Sequence, residues 1–200
     1  MNRLVKSLMK KDLLFSIKLL PISLICAIVL PIYGGGFAHN ILATPLVMLS
    51  VASILAVLFY LAAICYLEDN PETEGLLCSL PLAKQSWIFA RYAVTLLLIL
   101  AALIVTIAVF AVSGGEPAVS DVIWTAAILL AHYGVFLYVF YKAGLQTAQY
   151  VPATILLAGA VGLKTGMIVD LNLPVGGYEY GGLAAAAVLF LLSAKYSAEE

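Results

Sequence analysis

Residues 68–92 read EDNPETEGLLCSLPLAKQSWIFARY, the longest polar interruption in an otherwise apolar chain. The stretch begins with four carboxylates (Glu68, Asp69, Glu72, Glu74). It continues through a short apolar run (Leu76, Leu77, Leu80) to Pro81, and closes with Lys84 and Arg91. On either side lies an apolar segment long enough to cross a bilayer, which needs about 20 predominantly apolar residues. The fold is therefore read outward from this break.

Of 200 residues, 64% are hydrophobic and 10% charged. A soluble domain averages about half apolar and a quarter charged. Here the excess is arranged in uninterrupted runs, the pattern of a polytopic membrane protein. A net charge of −1 provides no basic footprint for nucleic acid. Cys26, Cys65 and Cys78 are odd in number and scattered, which makes neither a disulfide framework nor a zinc spacing.

Hydropathy predicts six transmembrane helices, at 13–33, 46–67, 92–112, 122–141, 150–168 and 183–196. Gly34-Gly35-Gly36 is expected to break the first, and Pro21 and Pro31 to bend or terminate its ends. Six spans put both termini on one side. With the N-terminus inside, nine cations (Arg3, Lys6, Lys10, Lys11, Lys18, Lys84, Arg91, Lys142, Lys195) are internal and only Lys164 is external. The positive-inside rule therefore places both termini and the 68–91 loop in the cytoplasm. Tyr33, Tyr60, Tyr66, Tyr92, Tyr141, Tyr150 and Tyr196 fall near span ends, where aromatic belts form. The expected fold is all-α: one membrane domain over residues 1–200, without a separate soluble domain.

Residues 1–12, MNRLVKSLMKKD, put Arg3, Lys6 and Lys10 on one helical side and Leu4, Val5 and Leu8 on the other. Such a helix lies in the headgroup layer with its cations toward anionic lipid. The alternative is a solvated basic terminus that only sets topology. A cleavable signal peptide is disfavoured, because Lys18 and Pro21 interrupt the apolar run that follows and no small-residue cleavage site is present.

The sequence offers no enzyme chemistry. His39 and His132 fall on opposite sides of the membrane by this topology, and neither an H-E-x-x-H nor a G-x-S-x-G motif occurs. No predicted span carries a carboxylate, as a proton path would require. His132 is assigned mainly to helix–helix hydrogen bonding, with lining of a substrate path as the minor alternative. GAVGLKT at 159–165 lacks the glycine spacing and the Gly-Lys pair of a phosphate loop, so no nucleotide cofactor site is expected on this chain.

Within the polar break, Asp69 and Asn70 suit a helix cap and Pro71 its first turn, and Glu72 and Glu74 favour its positive end. Leu76, Leu77 and Leu80 then share one face and Pro81 ends the helix. A second helix is expected from near Ala83 into the third span, with Trp87 and Tyr92 at headgroup depth and Lys84 and Arg91 in the interface plane. A short capped helix with apolar anchors is a knob on which a soluble partner docks. The alternative is an acidic loop whose leucines lie on the membrane surface.

The run from Glu74 to Lys84, followed by Ala90-Arg91-Tyr92, resembles the cytoplasmic motif of small ABC type-2 exporter permeases. That motif is a Leu-x-Ser-Leu-Pro core, a small residue and Arg, then Lys-Tyr at the start of the third span. Leu77, Ser79, Leu80, Pro81 and Tyr92 match, while Lys84 stands for the usual Arg and Arg91 for the usual Lys. Both exchanges keep charge, although Lys lacks the planar fork of Arg. The resemblance implies the membrane subunit of an ATP-driven exporter, paired with a second permease copy and with a separate ATPase subunit. It makes 72–80 the coupling helix, with Glu72, Glu74, Leu76, Leu77, Ser79, Leu80, Pro81, Lys84, Arg91 and Tyr92 serving ATPase coupling. It makes the N-terminal segment the connecting helix at the lipid surface and 170–182 an outer re-entrant hairpin. It also implies plasma-membrane localisation and no ATP hydrolysis on this chain. The apolar span walls suit a lipid-like, peptide or drug-like cargo. The competing class is a non-transporting membrane interaction protein, such as an immunity or assembly factor.

Overall fold

The structure, a computed structural model, describes residues 10–14, 17, 20–37, 45–69, 84–113, 117–154 and 178–199. Five long helices organise them: α1 (Leu20–Phe37), α2 (Pro45–Glu68), α3 (Lys84–Val112), α4 (Val119–Ala148) and α5 (Tyr178–Ala198). No strand occurs among the described residues. Helix is the expected solution, because in hydrocarbon each backbone polar group must find its partner within the segment. Four helices carry stretches long and apolar enough to cross a membrane: Leu46–Tyr66 of α2, Gln85–Val112 of α3, α4 and α5. The first predicted span is represented by α1, an 18-residue helix of largely apolar sequence. Of the fifth predicted span only 150–154 are described, as helix; the remainder lies outside the described residues.

Several boundaries differ from expectation. α1 is described from Leu20, with Pro21 in its first turn, where a missing N–H costs nothing. It then continues through Gly34-Gly35-Gly36 to Phe37 instead of breaking there. Glycine weakens a helix by about 1 kcal/mol per residue, less than the cost of freeing backbone groups in an apolar medium. α3 begins at Lys84, as the expected second helix of the polar break. α5 is described from Tyr178, so residues 178–182 of the expected outer segment are helical; 170–177 lie outside the described residues. α4 departs from helical geometry at Gly144 (φ 79°, ψ 173°), and its last residues form a redirected piece.

α2 is the most enclosed of the four spanning helices, with 61% of its apolar window buried against 33–44% for the others. It packs against α1, α3 and α4, while α5 lies mainly along α4. The shared core draws Ile54, Leu61 and Cys65 from α2, Ile88 and Ile99 from α3, Leu129, Phe136 and Leu137 from α4, and Phe190 from α5. Small hydroxyl residues bond between helices inside it: Ser53 with Thr106 at 3.0 Å, and Ser50 with Thr125 at 3.3 Å. Ser23 donates to the Ala56 carbonyl at 2.7 Å. Interhelical bonds of this kind are each worth about 0.6–2 kcal/mol in a bilayer, where burial alone gives little drive for association. Large apolar side chains such as Leu97, Leu100, Ile104 and Leu191 face outward, as lipid contact requires.

Candidate functional site

The polar break is delivered by α2 and α3. Of the residues expected to couple to a partner, Glu72, Glu74, Leu76, Leu77, Ser79, Leu80 and Pro81 lie outside the described residues, as do Arg3 and Lys6 of the N-terminal segment. Lys10 is described, helical and exposed. Lys84 is the first residue of α3. Arg91 and Tyr92 lie seven and eight residues further along, about 10–12 Å up the helix axis, and both are enclosed by protein.

Arg91 is only 1% exposed. It is not a headgroup-facing cation in the interface plane. Ile88, Arg91, Tyr92 and Thr95 recur at three- and four-residue spacing, and all four are buried against the bundle. The guanidinium has two acidic partners. Its Nε donates to Asp12 Oδ2 at 3.2 Å, and Nη2 donates to Glu68 Oε1. Lys11 Nζ stands 3.6 Å from Asp12 Oδ1 and 4.0 Å from Glu68 Oε1. The side chains of Asp12 and Glu68 are 5% and 8% exposed, whereas Lys11 is 45% exposed at the rim. Two cations and two carboxylates thus form a neutral, mostly desolvated quartet.

The quartet joins three remote segments: helical residues 10–14 near the N-terminus, the end of α2 and the second turn of α3. Glu68 ends α2, where a negative charge opposes the helix dipole, so the Arg91 cation meets a local need. Burial pushes the Glu68 carboxyl above its ordinary range, and the neighbouring guanidinium pulls against that rise. Two quartet atoms, Arg91 Nη1 and Glu68 Oε2, are buried without a hydrogen-bond partner among the described residues. Tyr60 reinforces the same corner by donating to the Leu13 carbonyl at 2.8 Å. Asp69, which opens the connection, accompanies the α4 kink: its Oδ1 lies 3.6 Å from where a Cβ on Gly144 would stand.

Tyr92 also turns inward. Its hydroxyl pairs with Ser197 Oγ at 3.1 Å, and its ring meets Phe190 edge-on at 5.2 Å, joining α3 to α5. Tyr66, Tyr150 and Tyr196 are exposed as belt residues are, whereas Tyr60 and Tyr92 are interior. His132 is 3% exposed and packs edge-on to Tyr133 at 4.8 Å. Neither of its ring nitrogens is hydrogen-bonded among the described residues, so the expected interhelical bond is not made there. An apolar groove of about 620 Å³ runs between α4 and α5, lined by Val135, Tyr138, Ala184, Val188, Leu192 and Tyr196. Among the described residues, no group of three or more His, Cys, Asp or Glu side chains is placed to hold a metal ion.

Sequence reasoning missed Asp12 altogether and read Glu68 only as part of the acidic break. The available signal was positional. Asp12, Glu68 and Arg91 each sit where an apolar run meets a polar one, and the six spans expected from the sequence would put all three at the same membrane face. Opposite charges at one depth beside apolar helices are candidates for burial as pairs.

A family model described as ABC-2 family transporter protein matches residues 7–197. No curated protein matches the chain, and no solved structure does.

Proposed function

The chain belongs to the ABC-2 transporter family and is a multi-pass membrane protein of the permease type; from that premise we propose that it is the membrane subunit of an ATP-driven exporter. Two copies, or this chain and a sister permease, form the translocation path. Each has six spans with both termini cytoplasmic in the plasma membrane, and each engages a separate ATPase subunit through residues 72–80. Leu76, Leu77 and Leu80 serve as apolar anchors, with Glu72 and Glu74 at the positive end of the coupling helix. The permease holds no ATP. Nucleotide-driven closure of the ATPase subunits displaces the coupling helices and shifts the path between two states.

The observation that supports this reading best is the closed neck of the connection. Glu68, the last residue of α2, is bonded to Arg91, two turns into α3, which ties together the two helices that flank 69–83. A segment with acidic and apolar anchors on such a base transmits force instead of absorbing it. Exposed small and apolar residues along α5, among them Gly181, Ala184, Ala185 and Val188, suit lipid or a second copy.

The test is a mild-detergent pull-down from native membranes, with bound proteins identified and counted. The expected result is a partner carrying a Walker A loop at about one copy per permease. That partner is lost in Leu77→Asp/Leu80→Asp, which still inserts in the membrane. Recovery of the chain without an ATPase, or with unchanged binding in the double variant, overturns the coupling assignment and favours an interaction or assembly protein.

A further inference from the structure

Lys11, Asp12, Glu68 and Arg91 do more than anchor. Fastening three segments does not require ions, since apolar side chains of similar volume hold a desolvated site at least as well. What ions add is a choice of partners. A guanidinium and a carboxylate ordinarily align two parallel bonds. Here Arg91 is instead shared between Asp12 and Glu68, and the atoms that would complete the second bond, Nη1 and Glu68 Oε2, are both buried and have no hydrogen-bond partner among the described residues. A competing cation is in place as well. Lys11 lies within 4.0 Å of both carboxylates from the solvent rim. Two discrete arrangements are therefore open to the same four side chains. In one, Arg91 ties the N-terminal turn to α3 through Asp12. In the other, Arg91 turns its whole fork to Glu68 and leaves Asp12 to Lys11.

We propose that Arg91 is a positioning residue for coupling: with Lys11, Asp12 and Glu68 it forms a two-state ionic clasp that links the position of the N-terminal segment to that of the 69–83 connection. The inference rests on the coupling reading above and deepens it. Glu68 adjoins the start of the connection and Arg91 lies two turns into the helix that follows it, so a movement of α3 relative to α2 changes their mutual geometry directly. The exchange between Arg91 and Lys11 then converts that small shift into attachment or release of the N-terminal turn. Amplification of this kind needs a bistable contact, not a continuously deformable one.

The test uses the full chain in proteoliposomes with its co-purified ATPase. Spin labels are placed on Lys10→Cys and Gln85→Cys, two exposed helical positions, in a Cys26→Ala/Cys78→Ala background. Buried Cys65 is left in place. Electron–electron distances are recorded without nucleotide and after trapping with ATP and vanadate. The wild-type quartet is expected to give a narrow distribution that shifts on trapping. The neutral set Asp12→Asn/Glu68→Gln/Arg91→Met, which leaves no unpaired buried charge, is expected to retain the ATPase but to broaden the distribution and lose the shift. Lys11→Met, at the exposed rim where folding is not at stake, is expected to keep the narrow distribution and lose the shift. A neutral set with the wild-type distribution, or a Lys11→Met chain with the wild-type shift, overturns the clasp. The distribution of the neutral set is measurable on the chain alone. A wild type that co-purifies with no ATPase therefore overturns the coupling reading separately, and the breadth comparison still decides whether the clasp exists.

Discussion

Gly182 of α5 lies against the indole of Trp124 of α4 so closely that a Cβ added to it would stand 2.6 Å from Trp124 Cζ3 and 2.8 Å from Cη2. Ten residues further along α4, and eight and eleven further along α5, Gly134 of α4 faces the Phe190 backbone and the Ser193 hydroxyl of α5, at 3.2 and 3.3 Å. The two helices are thus parallel and approach at one glycine from each, a device by which membrane helices gain contact without a hydrophobic drive. Gly181, one residue away, has open space around its missing Cβ. Gly182→Ala is expected to destabilise the chain by about 1–3 kcal/mol through overpacking against a rigid ring. Gly181→Ala is expected to be neutral or to stabilise by roughly 0.5–1 kcal/mol through helix propensity. Thermal unfolding in detergent, followed by tryptophan fluorescence, compares the two. Equal effects would contradict the close approach.

Gly144 carries the one positive φ among the described residues, and its ψ of 173° puts it in a region essentially reserved for glycine. Its role is to redirect the end of α4 beside Asp69, where the polar connection begins. Any side chain there meets backbone strain even though the space is adequate, so Gly144→Ala is expected to cost about 1–3 kcal/mol. Limited proteolysis at the 142–150 turn, together with thermal unfolding, measures the change. Unaltered stability and cleavage would mean that the kink is not required.

The path from sequence to site shows what one-dimensional patterns carry. The spans were legible because lipid imposes a long, simple signal. Leu46–Tyr66 emerged almost residue for residue, and the third span kept its end at Val112 while its apolar stretch began at Gln85 instead of Tyr92. The end of the bundle that carries the polar connection was legible only in outline. Arg91 looks the same in a list of basic residues whether it faces lipid headgroups or is 1% exposed between two carboxylates. What decides is the return of the N-terminal turn to α3, a contact over 79 residues that no local pattern encodes. Tyr92 misled for the same reason: a tyrosine at a span end suits the interface belt, yet Ser197 and Phe190, a hundred residues on, supply an interior partner. The glycines of α1 and Gly144 reversed expectation in the opposite direction. A triple glycine stayed helical, while a single one between helical runs turned the chain.

Glu68 makes the pH dependence of the corner testable. Its carboxyl is raised from 4.5, chiefly by burial, with Arg91 opposing and Asp12 adding to the rise. A raised carboxyl binds its proton more tightly in the folded chain than in the unfolded one. Its contribution to stability is therefore fully present below the unfolded value and is lost as pH rises through the folded one. The thermal midpoint of wild type minus that of Glu68→Gln should accordingly decline as pH is raised upward from about 4.5. A difference that grows with pH over the same range would show that pairing with Arg91 outweighs desolvation and that the carboxyl is lowered.

His132 stands on the face of α4 that packs into the bundle, 3% exposed, with its Nδ1 and Nε2 both unbonded among the described residues. A buried polar group without a partner costs about 1–3 kcal/mol relative to a bonded one, and replacing it with an apolar group of similar shape removes that cost. Its one specific contact, the edge of the Tyr133 ring, is a packing contact that an apolar side chain can reproduce in part. Tyr133 keeps its own hydrogen bond to the Ile54 carbonyl and holds α4 on α2 independently of the imidazole. His132→Leu is therefore expected to keep or raise the unfolding midpoint in detergent, and to leave membrane insertion unchanged. If such a variant is stable but the assembled permease and ATPase lose nucleotide-driven activity, the unbonded imidazole serves the moving state of the bundle. If it unfolds readily, the imidazole is bonded in the membrane, and the helix–helix role read from the sequence is restored.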